Sequence, residues 1–231
     1  MRDWLATWVR FPRVIVLSIL ISALLLLPTL GLGFMLDDYV ALAALDGVLH
    51  EFREPNPFKI FEFLTGNPEQ ISQRKIRGDL PWWTHPELKF SFCRPLSSWL
   101  FWLDYQVFGM HAWAAHLHSL LWRFALWAVW GGILWRVLPG KIGAVALLLC
   151  AIDESQFMAS SWLSNRNALV AAVPVLLGLW AHIRWREDHW KPGLWLSLLG
   201  YAVGLSGGEA AIGALMYLAA YELLASPGGL P

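Results

Sequence analysis

Charge is what this chain has least of. Only 15% of its 231 residues are Asp, Glu, Lys or Arg, and 17 basic residues balance 17 acidic ones to a net charge of zero. That balance leaves no basic stripe for a nucleic-acid backbone and no acidic tail, so nucleic-acid binding is excluded as a function class. Cysteine is almost as scarce. Cys93 and Cys150 are the only two, one in a loop and one in an apolar run, so neither a disulfide framework nor a thiolate metal site is indicated. No low-complexity tract, internal repeat or soluble domain is evident. What fills the space is apolar: 57% hydrophobic residues and a mean hydropathy of +0.49 exceed the roughly 45 to 50% of an ordinary soluble domain. The composition is that of a polytopic all-α membrane protein. Sixteen tryptophans include Trp135, Trp162, Trp185 and Trp195 at the ends of apolar runs, where amphipathic rings sit at headgroup level.

Six apolar runs are expected as transmembrane helices, over residues 14–36, 112–135, 142–152, 168–183, 194–205 and 210–224, with an outer loop over 37–111. Pro28 is placed to kink the first. A signal peptide is the competing reading of that run, since Arg2, Arg10 and Arg13 precede it, but its length and the spans that follow favour a retained anchor. Runs of about 10 to 14 residues can also be re-entrant or buried. With a cytoplasmic N-terminus, Arg2, Arg10, Arg13, Arg136, Lys141, Arg184, Arg186 and Lys191 fall on one side, as the positive-inside rule requires. The seven Lys/Arg of the long loop weigh little, because long loops translocate with less regard to charge. Within that loop Leu42, Leu45, Val48, Leu49 and Phe52 recur at helical spacing, as do Leu96, Trp99, Leu100, Leu103 and Val107. Both read as amphipathic helices along the outer leaflet. The Pro-, Gly- and charge-rich middle, residues 54–86, reads as an aqueous loop.

The polar residues are the functional candidates, because carboxylates and guanidinium groups beside lipid are costly unless they face water or have chemistry to do. Asp37 and Asp38 stand at the mouth of the first span. Arg94 with Asp104, Asp153 with Glu154, Arg166, and Glu209 fall on the same outer side. Taken singly each has a plain structural reading: Asp37 and Asp38 as first-turn acids of a helix, Arg94 as a surface anchor, Asp153, Glu154 and Glu209 as solvated turns. Inside the second span His116, Ser119 and Arg123 share one helix face, which should turn inward, while His118 points elsewhere. A His metal site is not supported, since His116 and His118 diverge and no third ligand is spaced to join them.

In order along the chain, residues from about 30 to 225 resemble the membrane glycosyltransferases of the GT-C fold, the superfamily of the protein O-mannosyltransferases. They look closest to the transmembrane modules fused to tetratricopeptide repeats. The resemblance rests on Leu36-Asp37-Asp38-Tyr39 after the first span, on the stretch from Arg94-Pro95-Leu96 to Phe108-Gly109, on His116, and on Trp162-Leu163-Ser164-Asn165-Arg166. Departures are Ser119 and Arg123 where relatives often carry Asn and a second His, Gln156-Phe157-Met158 in place of His-x-Glu, and Gly208-Glu209 in place of Lys-Glu. Full modules continue for further helices, so the chain corresponds to an N-terminal half, a half that takes a partner chain for its missing helices, or a remnant.

The resemblance implies an inverting transfer of a sugar from a polyprenyl-phosphate donor to an acceptor hydroxyl on a protein or glycan, at the outer (periplasmic or luminal) side. Asp37 or Asp38 would be the catalytic base. Arg94 and Arg166 would bind the donor phosphate, with His116 positioning it, and Asp153, Glu154 and Glu209 are secondary candidates. A divalent metal is not required, because the arginines could neutralise the leaving group. Two rival classes are a non-catalytic membrane subunit that keeps the fold, and a transporter using His116 and Arg123, although neither repeated halves nor broken helices are evident.

Overall fold

The computed structural model describes residues 11–46 and 56–225. Arg2, Arg10, Val48, Leu49, Phe52 and the segment 226–231 lie outside the described residues.

Helix α1 (Phe11–Leu26) carries no charge after Arg13 and continues as a 3-10 turn over Leu27–Gly31. The change falls at Pro28, which cannot donate to the carbonyl four residues back. The expected span over 14–36 therefore ends early: Leu32 to Met35 are irregular, and the chain turns into α2 (Asp37–Leu45) through Leu36 at φ 47°. That angle is unfavourable for a leucine. Asp38 holds it, since Met35 N–H donates to Asp38 Oδ2 at 2.9 Å while Asp38 N–H donates to the Met35 carbonyl at 2.9 Å.

The expected aqueous loop is instead partly ordered, and the fold is not purely helical. Strand β1 (Glu62–Thr65) pairs antiparallel with β2 (Lys89–Ser91), matching Glu62 with Ser91 and Thr65 with Lys89 around a bulge. Between them lies α3 (Pro68–Ile76). Its start is set by Asn67, whose side chain accepts from the N–H groups of Glu69 and Gln70, and by Pro68 at a position needing no donor. A run of Phe61, Phe63, Phe90 and Phe92 in edge and stacked contacts holds the hairpin together.

Helix α4 (Pro95–Phe108) ends at Gly109, whose φ of 56° turns the chain into α5 (Ala112–Val137). The remaining helices are α6 (Lys141–Ile152), the short α7 (Phe157–Ser161), α8 (Asn167–Asp188), α9 (Pro192–Gly207) and α10 (Ala214–Leu224), the last preceded by a 3-10 turn over Glu209–Gly213. Among the described residues, three helical segments are long and apolar enough to cross a membrane: Pro12–Gly31, Ala112–Val137 and Leu163–Asp188. Helices α6, α9 and α10 sit where spans were expected, but at 12, 16 and 11 residues and about 1.5 Å per residue they fall short of roughly 30 Å of hydrocarbon. Their outward faces are nonetheless apolar, as at Ile142, Leu149, Trp195, Leu199 and Met216, and so are Leu20 and Leu24 of α1.

Among the described residues packing forms four apolar cores. Val14 of α1 meets Trp127 of α5 and Leu147 of α6. Leu126 and Ile133 of α5 meet Val173 and Leu176 of α8 and Tyr221 of α10. The third brings Ala41 and Leu42 of α2 to Ile60, Phe101 of α4, Ala115 of α5 and Leu163. The fourth joins Ala171 and Val175 of α8 to Tyr201 of α9 and Ala214 of α10. Helices α8 and α9 approach almost backbone to backbone: a Cβ on Gly200 would sit 2.6 Å from the Pro174 carbonyl oxygen and 2.7 Å from Gly178 Cα. Small residues permit such contacts in lipid, where no hydrophobic force drives helices together.

Candidate functional site

The third core gathers polar residues at one end of the bundle. Asp38, fully buried, accepts at Oδ1 from Ser164 N–H (2.7 Å) and Ser164 Oγ–H (2.6 Å), beside its bond from Met35 at Oδ2. Three donors meet at this one carboxylate, so it is hydrogen-bonded despite its burial. Ser164 belongs to the 3-10 turn Leu163–Arg166 that opens α8, so the Asp38 bonds clasp the exit of α1 to the start of α8.

Two residues further on, Arg166 buries its guanidinium with only 3% side-chain exposure and places Nη1 2.5 Å from Asp104 Oδ2 and 3.3 Å from the Ala115 carbonyl. Asp104 Oδ1 lies 2.7 Å from His118 Nδ1, and Trp122 Nε1–H donates to His118 Nε2 at 3.0 Å. An Nε2 that accepts requires the proton on Nδ1, where it is donated to Asp104. Arg166 Nη1 also approaches His118 Nδ1 to 3.4 Å. The charges of Arg166 and Asp104 cancel, as a buried pair needs.

His116 is fully buried too, with Nε2 3.3 Å from the Gly33 carbonyl and Nδ1 without a hydrogen-bond partner among the described residues. Ser119 and Arg123 on the same face are buried as the helix spacing requires, and Arg123 lies over the Trp127 ring at 5.0 Å. Asp37, by contrast, is exposed at the start of α2.

Arg94 stands apart from this knot. Its Nε lies 2.7 Å from Glu209 Oε2, its guanidinium covers the Phe92 ring at 4.3 Å, and Ser97 Oγ donates to the Gly207 carbonyl at 2.5 Å beside it. The Arg94 side chain is 18% exposed and that of Glu209 45%. Asp153 and Glu154 are exposed and join neither group. Asp153 caps its own turn: the Ser155 hydroxyl and N–H hold its carboxyl below the ordinary value of 3.8.

The knot is closely packed. A cavity of about 10 Å³ lined by Phe34, Leu42, Asp104, Tyr105 and Leu163 opens against it, room for a single water. Across the Gly109 junction an open apolar groove of about 320 Å³ is lined by Val107, Phe108, His111, Trp113, Ala114 and Leu117. The opposite end of the bundle is tied separately. Arg136 of α5 pairs with Glu187 (2.6 Å) and Asp188 of α8, and Arg186 with Glu222 of α10 (3.1 Å).

Of the expected site residues, then, Asp38, Arg166 and His116 come together, Asp37 lies at the rim, Arg94 and Glu209 pair with each other, and Asp153 and Glu154 are elsewhere. Sequence reasoning passed over Ser164, and set His118 aside. Their signals were local: Ser164 two residues before Arg166, and His118 one turn before Trp122. Among the described residues no group of His, Cys, Asp or Glu could hold a metal ion. These features define a helical membrane protein with a buried polar knot at one end of its bundle. No family model, curated protein or solved structure matches the chain.

Proposed function

We propose that the chain is an inverting membrane glycosyltransferase of GT-C type, or the N-terminal part of one, that uses a polyprenyl-phosphate sugar. The observation that carries this reading is the division of labour within the acidic pair. Asp38 is consumed by three hydrogen bonds that fix the strained Leu36 turn, and that turn presents Asp37, exposed, where the first apolar helix ends.

In this reading Asp37 is the base. The acceptor hydroxyl oxygen attacks the anomeric carbon in line with the departing phosphate, Asp37 takes the hydroxyl proton, and the carbon–oxygen bond to phosphate breaks with inversion. Of the two arginines, Arg94 suits the phosphate, since it is partly exposed and its partner Glu209 is more so; a phosphate could take the place of that carboxylate. Arg166 and His116 are committed to holding the knot. The groove beside Trp113 and Leu117 suits the lipid chain of the donor. The placement of the knot on the outer side of the membrane belongs to the same proposal.

A second reading, a non-catalytic membrane subunit, is favoured by one observation: both arginines already carry carboxylate partners, and the cavity beside Asp104 is water-sized. The two are separated by supplying the reconstituted full chain with radiolabelled polyprenyl-phosphate sugars and a membrane extract as acceptor source. Label leaving the lipid for an acceptor supports transfer. Donor lipid that binds without turning over supports the subunit.

A further inference from the structure

The segment between the two strands carries apolar surface that the site does not use. Trp82 and Trp83 are 82% and 69% exposed, and Ile76, at the end of α3, is 83% exposed. The two indoles meet edge to face, with centroids 5.4 Å apart at 87°, and neither indole N–H has a hydrogen-bond partner among the described residues. Between the strands, over residues 66–88, Arg74, Lys75 and Arg77 balance Glu69, Asp79 and Glu87.

We infer that this tip is a membrane-surface anchor: Trp82 and Trp83 enter the headgroup region of the leaflet that the knot faces. Three observations select lipid over other occupants. Both ends of the hairpin are tied to the bundle, one through Ile60 in the third core and the other through Arg94 and the start of α4. Its strands of four and three residues, at about 3.3 Å per residue, keep the tip close to that end of the bundle. Indole has an apolar body and a polar N–H, and unpartnered N–H groups beside apolar surface match the layer where water gives way to acyl chains. A sugar platform is disfavoured by the geometry, because rings at 87° form a wedge and not a flat shelf for a pyranose face. The inference rests on the membrane reading of the chain, not on sugar transfer.

The test uses the full chain in vesicles of phosphatidylcholine with a minor share of phosphatidylglycerol. A nitroxide is placed at His85→Cys in a Cys93→Ser/Cys150→Ala background, and its collisions with oxygen and with a water-soluble nickel chelate are compared. The expected result is that oxygen dominates, that Trp82→Ser/Trp83→Ser reverses the preference, and that Trp82→Tyr/Trp83→Tyr keeps it. A label equally open to the chelate before and after Trp→Ser replacement overturns the inference. So does a label that stays in water and is immobilised only by added soluble oligosaccharide, which would make the tip a carbohydrate surface. Transfer activity is not read, so failure of the enzymatic reading leaves this result intact.

Discussion

Arg166 Nη1 lies 2.5 Å from Asp104 Oδ2, and both side chains are withdrawn from solvent. This pair ties α4 to the start of α8 and fixes the turn that carries Ser164. Removing one member strands a buried charge, so Arg166→Leu should cost about 3 to 5 kcal/mol. Arg166→Leu with Asp104→Leu should recover much of that loss. Unfolding of the detergent-solubilised variants measures both, and a single variant as stable as wild type would contradict the pairing.

The acidic pair should divide cleanly under substitution. Ser164→Ala removes the hydroxyl donor to Asp38 and should destabilise by about 1 to 3 kcal/mol. Asp38→Asn replaces an oxygen that accepts from Met35 N–H or Ser164 with a donor, and should cost a similar amount. Asp37→Asn, at an exposed position, should shift stability by no more than about 0.5 kcal/mol. Thermal unfolding of the three variants side by side checks the ranking.

Helix α9 should tolerate no side chain at Gly200. Gly200→Leu drives a Cβ into the Pro174 carbonyl and the Gly178 backbone, where no flexible side chain can give way, and should abolish folding or lower the unfolding temperature sharply. Gly132→Ala is the contrast. Nothing lies within 4 Å of its added Cβ, and helix propensity favours Ala over Gly by about 1 kcal/mol, so that variant should be unchanged or more stable.

Asp153 should titrate below an ordinary aspartate. Its carboxyl is depressed in the folded chain by Ser155, so its contribution to stability is present above the unfolded value and is lost as pH falls through the folded one. Ser155→Ala should raise the Asp153 titration towards 3.8, read by carboxyl chemical shifts. An unchanged midpoint would contradict the capping role.

The sequence made the long helices legible because apolar runs have a length scale of their own: α5 and α8 appear within a few residues of their expected ends. The first run was overextended, since composition does not register that Pro28 withholds a donor or that Asp38 folds the chain back at Leu36. The β hairpin was hidden by its surroundings. Its alternation at Phe61 and Phe63, and at Phe90 and Phe92, spans too few residues to stand out from a Pro- and Gly-rich segment, although Asn67-Pro68 was a readable helix start. At the site, helix periodicity put His116, Ser119 and Arg123 on one inward face. Partner identity was not legible, because the choice of Asp104 by Arg166 and of Glu209 by Arg94 depends on how α4, α8 and α9 dock, which no local pattern encodes.

The proposed chemistry meets its most direct test in the turnover of Asp37→Asn with a polyprenyl-phosphate sugar that the reconstituted wild-type chain transfers. Loss of a positioned base should lower kcat by about 10² to 10⁴ while unfolding temperature and donor-lipid binding stay at wild-type values. Wild-type turnover in that folded variant would contradict the assignment of Asp37 and, with it, the account of why Asp38 is buried.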